Sequence, residues 1–232
     1  MPVTITNRGK PTAHMEALLV GSRGKELERD IQLAGMSTAP VLITGEPGVG
    51  KDVVARLVHD RSARCAAPFV TVSCNGLTDS QLRRRLFGAK PGAHRGSEGR
   101  GTGAFQQAQG GTLHLDAVAD IGLAVQWQLL RLLQTKELQP TMSTPRLDAR
   151  IIATTSRPLF ERVLDGGFLE GLYYQLNIIH LVIPPLRERR DDIPAVIAEL
   201  LEDLRKRRHV PGPRLAPLDT IALPHLPSVT VK

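Results

Sequence analysis

Short apolar runs alternate along the chain with amphipathic stretches. Five runs are compact and rich in aliphatic and β-branched residues: 41–44 (VLIT), 69–73 (FVTVS), 112–115 (TLHL), 150–154 (RIIAT) and 178–183 (IIHLVI). Near-continuous apolarity over so few residues is the pattern of strands covered on both faces, as in a parallel sheet. Between the runs the period lengthens. In 52–60 (DVVARLVHD), Val53, Val54, Leu57 and Val58 share one helical face, and over 123–134 Leu129, Leu130, Leu132 and Leu133 supply the apolar side. A further helix is expected from about Lys25 within 15–34, and another over 191–208, which opens with acids and ends with bases as the helix dipole favours. Strand–helix alternation predicts an α/β fold, a doubly wound parallel sheet with helices on both faces.

Two stretches break the pattern. Residues 88–103 are glycine-rich without periodicity, and 211–232 carry Pro211, Pro213, Pro217, Pro224 and Pro227, which suit no long helix. Residues 1–14 are polar with two prolines and read as a flexible arm. The 232 residues suffice for one substantial domain and part of a second unit.

Composition narrows the picture. Aromatics make up only 3% of the chain, so the core must be built from Leu, Ile, Val and Ala. No apolar run approaches the roughly 20 residues that span a bilayer, and the N-terminus lacks the apolar centre of a signal peptide; a cytoplasmic location is expected. Cys65 and Cys74 form neither a disulfide framework nor a metal site, and Cys74 reads as a small buried residue. The net charge of +7 suits an acidic partner such as nucleotide, nucleic acid or an acidic protein face. The arginine clusters at 83–85, 187–190 and 205–208 read first as solvated helix faces. Without zinc-finger spacing or a helix-turn-helix pattern, sequence-specific DNA binding is not supported.

The candidate chemistry lies at two strand ends. GEPGVGKD follows the first strand and opens a helix, and Gly45, Gly50 and Lys51 match G-x-x-x-x-G-K. In such a loop the glycines let backbone amides turn onto a phosphate, lysine adds a point charge, and the helix N-terminus attracts the anion. Asp52 stands where serine or threonine would ligate magnesium. The plainer reading is a glycine turn; the strand before and the helix after favour the phosphate loop. Further on, Leu113-His114-Leu115-Asp116 places a carboxylate at the end of a buried strand, where triphosphatases hold magnesium. The plainer reading of Asp116 is a cap or turn residue. His114 reads as a core residue rather than a ligand.

Together these pieces resemble the AAA+ domain of sigma-54-dependent transcriptional activators. The resemblance runs from about Leu19 to Arg208, and it is carried in order by VLITGEPGVGKDVVARLVH, PFVTVSC, LFG, AFQQAQGGTLHLD, LLRLLQ, ARIIATTSR, LYYQLN and PPLRERRDDIP. It implies a three-layer sandwich with a central five-stranded parallel sheet over 15–190, and over 191–232 the remnant of a helical lid with a proline-rich tail. It implies ATP or ADP held by Gly45, Glu46, Pro47, Gly48, Val49, Gly50, Lys51 and Asp52, with Asp116 also in contact and holding Mg2+. An acid at position 52 is normal in this family. The implied partners are the sigma-54 form of RNA polymerase or an active AAA+ homologue.

Several family positions differ. Ala117 stands where the family has a glutamate that activates water, and Ser73 where it has the asparagine that holds that glutamate. Gly92-Ala93-His94-Arg95-Gly96-Ser97 replaces the polymerase-contacting GAFTGA. Ser156 replaces a sensing asparagine, Leu169 and Gln175 replace arginines offered to a neighbouring subunit, and the lid motif GNVRE does not occur. Losing a general base typically costs about 10²–10⁴ in rate and losing an arginine finger about 10³–10⁵. The losses need not multiply, because such groups act as a unit. Asp120 is not credited as a substitute base, since the family carries an acid there as well. The expectation is a nucleotide-binding regulator with little or no hydrolysis that acts through protein contacts. An active ATPase that remodels sigma-54 polymerase, and an interaction module or gene relic that binds no nucleotide, are the alternatives.

Overall fold

The computed structural model describes residues 4–6, 22–88, 102–137, 147–198 and 201. Six strands form one sheet: β1 (Thr4–Thr6), β2 (Val41–Thr44), β3 (Phe69–Ser73), β4 (Thr112–Asp116), β5 (Arg150–Thr155) and β6 (Ile179–Val182), in the order β1-β3-β4-β5-β2-β6. The five strands expected from the apolar runs pair in parallel, while β1 runs antiparallel along the free edge of β3, with Ile5 opposite Val70. The stretch expected as a flexible arm thus supplies an edge strand, and the sheet has one strand more than expected.

The helices are α1 (Ser22–Met36), α2 (Lys51–Asp60), α3 (Asp79–Phe87), α4 (Ala104–Gln107), α5 (Leu123–Thr135), α6 (Leu159–Leu164) and α7 (Glu170–Leu176). Period-two alternation within the strands divides the core between the two faces of the sheet. Val41 and Ile43 join Leu27, Ile31, Val54 and Val58 of α1 and α2 on one side. Leu42, Leu113 and Leu115 join Leu82, Phe105, Leu129 and Leu172 on the other, where α3 to α7 lie. This is the three-layer arrangement, and its interior is almost wholly aliphatic, as the scarcity of aromatics requires. Arg150, at the head of β5, is buried and donates from Nε to Ala39 O at 3.2 Å, which ties the sheet to the end of α1; burial lowers its pKa to about 10.

The chain leaves β2 toward the α2 face and leaves β5 toward the α6 and α7 face. The adjacent strands β2 and β5 therefore open a crevice at their carboxyl ends, the usual ligand position in such sheets. The helix expected over 191–208 starts differently: Arg190–Asp192 form a 3-10 turn, and 193–198 are helical. The remainder of the expected lid remnant, apart from residue 201, lies outside the described residues, as do 89–101 of the glycine-rich loop. Among the described residues no helix is long and apolar enough to cross a membrane.

Candidate nucleotide site

The loop between β2 and α2 is built as a phosphate cradle requires. Gly48 (φ 81°) and Gly50 (φ 94°) occupy the left-handed region, which only glycine enters without strain. Gly50 is the N-cap of α2, so the free amides of the first helical turn point into the loop. A Cβ at Gly45 would lie 3.0 Å from Ile183 O and from the Val49 side chain, which explains the small residue at the loop's entrance. Lys51 is buried, and its ammonium donates to Gly45 O at 3.0 Å, Glu46 O at 2.8 Å and Ser156 Oγ at 2.6 Å. Burial lowers its pKa, against the opposing pull of Asp52 and Asp116. Glu46, Pro47, Gly48 and Asp52 are exposed, whereas Val49 is buried and anchors the loop.

Asp116 ends β4 with one carboxylate oxygen held by a threonine hydroxyl and a serine hydroxyl near the other. Oδ1 accepts from Thr154 Oγ at 2.9 Å, and Oδ2 lies 3.3 Å from Ser73 Oγ, which has a shorter contact of 2.7 Å to Asn75 Oδ1. His114 is fully enclosed in the core, as expected, yet it is not inert: Nε2 lies 3.3 Å from Thr154 Oγ and Nδ1 lies 3.4 Å from Thr71 Oγ. Burial holds its pKa down, against the opposing pull of Asp52 and Asp116. A carboxylate oriented by hydroxyls at a strand end suits a hard cation. Among the described residues no three His, Cys, Asp or Glu side chains gather into a metal cage. A cation at Asp116 would therefore share its coordination with phosphate oxygens, which is how magnesium is ordinarily held.

The described residues that depart from the resemblance take the following places. Ala117 adopts φ 55°, ψ 48° directly after Asp116 and caps the short turn Val118–Asp120. Asp120 points its carboxylate to Arg157, with Oδ1 3.2 Å from Nη1. Leu169 is the N-cap of α7, donates its amide to Gln126 Oε1 at 2.8 Å and packs against the core, while Gln175 is half-buried on the same helix. Gly92–Ser97 lie outside the described residues.

One expectation is corrected. In the 187–190 cluster Arg187 and Arg190 are exposed as expected, but Arg189 is not on a solvated face. Arg187 makes a fork-shaped ion pair with Glu46, at 2.8 and 2.7 Å, and Arg189 is buried and donates to Val49 O at 2.9 Å. The segment around Leu186–Glu188 therefore straps the phosphate loop. In the 83–85 cluster, Arg83 and Arg84 are exposed as expected. A cavity of about 500 Å³ adjoins the loop on the α6 and α7 side, lined by Gly45, Glu46, Ser156, Phe160 and Tyr173 among others.

Residues 20–182 match the family model described as the Sigma-54 interaction domain. The transcriptional regulatory protein ZraR of Klebsiella oxytoca is 43% identical over 81% of this chain and 43% of its own length. NtrX from Brucella abortus, solved in complex with ADP, superposes with a TM-score of 0.75 at 30% identity, covering 85% of this chain and 44% of that one. Its structure in complex with ATP gives the same TM-score at 28% identity. The chain thus spans less than half the length of these relatives. The likeness extends over the α/β body, whose architecture is that of a P-loop AAA+ domain.

Proposed function

Since this chain belongs to the sigma-54 interaction domain family, we propose that it binds ATP or ADP with magnesium, hydrolyses it slowly or not at all, and regulates transcription through protein contacts. The observation that carries this reading is an intact cradle beside an empty catalytic position. The positive-φ glycines and Lys51 at the head of α2 can hold phosphates in the ground state, while position 117 presents only a methyl group. Magnesium, when bound with the nucleotide, would supply charge neutralisation on the phosphates, and Asp116 is the residue to hold it. Gly45 to Lys51 would bind the phosphate chain, and Asp52 would sit in the first turn beside it.

Several features support weak hydrolysis. Water activation needs a base within hydrogen-bond reach of the attacking oxygen. Asp120, an acid close by in sequence, is committed to Arg157. Neither Leu169 nor Gln175 carries the positive charge that a neighbouring subunit's phosphates would need. The family and the names of the relatives suggest the setting: sigma-54 RNA polymerase, or the ring of an active AAA+ homologue, as the protein partner.

Equilibrium titration of the purified chain with ATP and magnesium, beside Lys51→Ala, tests the proposal. Saturable binding that weakens at least tenfold in the variant is expected, with no steady-state phosphate release above background. Sustained turnover well above background that disappears in Lys51→Ala would make the chain a working ATPase. Absence of binding at millimolar ATP would leave the loop as a turn and the function in its protein surfaces.

A further inference from the structure

We propose that His114 is a positioning residue for Asp116, acting through Thr154, and that it governs how firmly the magnesium form of the nucleotide is held; this rests on the reading of Asp116 as the metal-side carboxylate.

Proton counting gives the direction of the network. A threonine hydroxyl has one proton. Thr154 donates it to Asp116 Oδ1 at 2.9 Å, so its oxygen can only accept from His114 Nε2 at 3.3 Å. The ring therefore carries a proton on Nε2, and in the tautomer with that proton alone Nδ1 accepts from Thr71 Oγ at 3.4 Å. The hydrogen bonds run one way, Thr71 to His114 to Thr154 to Asp116, across the neighbouring strands β3, β4 and β5. Every donor points toward the carboxylate.

The ring has little freedom to leave this position. It stacks on Phe69 with centroids 5.7 Å apart and planes 23° from parallel, and both His114 and Thr154 are almost completely buried. Thr154 can turn its hydroxyl elsewhere only by leaving the imidazole N–H without a partner, which is costly in a buried site. The imidazole touches neither phosphate loop nor carboxylate, so its effect on a ligand must pass through Thr154. Outer partners of this kind fix the orientation of a metal-binding group, and their loss typically weakens metal affinity by about 10- to 100-fold.

The test compares ATP affinity in magnesium with ATP affinity in EDTA, for the wild type, His114→Phe and His114→Gln. Phenylalanine keeps the ring and the stack on Phe69 but has no donor; glutamine can return an N–H to Thr154. The wild type is expected to bind ATP more tightly in magnesium. His114→Phe should keep the EDTA affinity and lose most of the magnesium gain, about tenfold or more, and His114→Gln should recover it. Thr154→Val cuts the chain one link later; it should behave as His114→Phe does, and it stands in if that variant does not fold. A full magnesium gain in both His114→Phe and Thr154→Val overturns the inference, as does an equal loss with and without magnesium, which is what a purely packing role would give. Wild-type binding indifferent to magnesium overturns the metal reading of Asp116 and this inference with it, while absence of wild-type binding overturns the proposed function itself.

Discussion

Ala117 keeps a left-handed backbone at φ 55° although it is not a glycine. That region costs an L-residue about 1–2 kcal/mol, and glycine recovers part of the cost while adding unfolded-chain entropy. Ala117→Gly should therefore add up to about 1 kcal/mol of stability, seen as a slightly higher urea midpoint, and Ala117→Val should lower it. The buried histidines make a second residue-scale prediction. His59, bonded to Thr112 Oγ at 2.9 Å, has its pKa lowered to about 4, first by burial. The unfolded chain takes up that proton near pH 6.5, so the folded state is fully favoured above that pH and loses stability as pH falls toward 4. Urea midpoints across pH 7 to 4 should decline for the wild type and decline less for His59→Gln. Residue chemistry was legible in the sequence where it was local. Gly45 to Lys51 form their cradle within one loop, so spacing alone pointed to it. The partners of Asp116 were hidden, because Thr154 and Ser73 reach it only through strand register. Arg189 looked like surface charge because its partner, Val49 O, lies about 140 residues away in the chain.

At the scale of elements, helix α3 begins with a capping box. Gln81 N–H donates to Thr78 Oγ at 3.4 Å, and Thr78 N–H donates to Gln81 Oε1 at 3.1 Å. Its inner face is Leu82 and Leu86, both buried. Thr78→Ala should cost about 1 kcal/mol, read as a lower thermal midpoint with an unchanged fold by circular dichroism. The spacing Thr78-x-x-Gln81 is the sequence signature of that start, and the run Arg83–Arg85 places its outer face toward solvent as expected. The inner parallel strands were legible because burial on both faces keeps them largely apolar, whereas β6, with His180 and Val182 exposed, was legible from its aliphatic run. β1 was not, since three residues in a polar stretch carry no periodicity. Helices α6 and α7 are only 6 and 7 residues long, too short for a 3.6-residue period to stand out.

For the whole molecule, β1 covers the backbone donors and acceptors of β3 that would otherwise face solvent. Deleting residues 1–6 should leave the α/β body folded but promote association between chains, visible as a mass increase in light scattering at rising concentration. An unchanged monomer-weight signal from a folded deletion would show that β1 guards nothing. The overall class was readable because alternation of short apolar runs with 3.6-period segments constrains topology strongly. What remained unread was how the two faces of the sheet converge on one loop. That convergence has a consequence for affinity. The three protons of the Lys51 ammonium already have three acceptors: two loop carbonyls and the Ser156 hydroxyl. An arriving polyphosphate does not simply gain a cation; it must win one from incumbents. Its grip is set by an exchange of partners, so the residue after β5 helps decide how strongly the loop after β2 holds an anion.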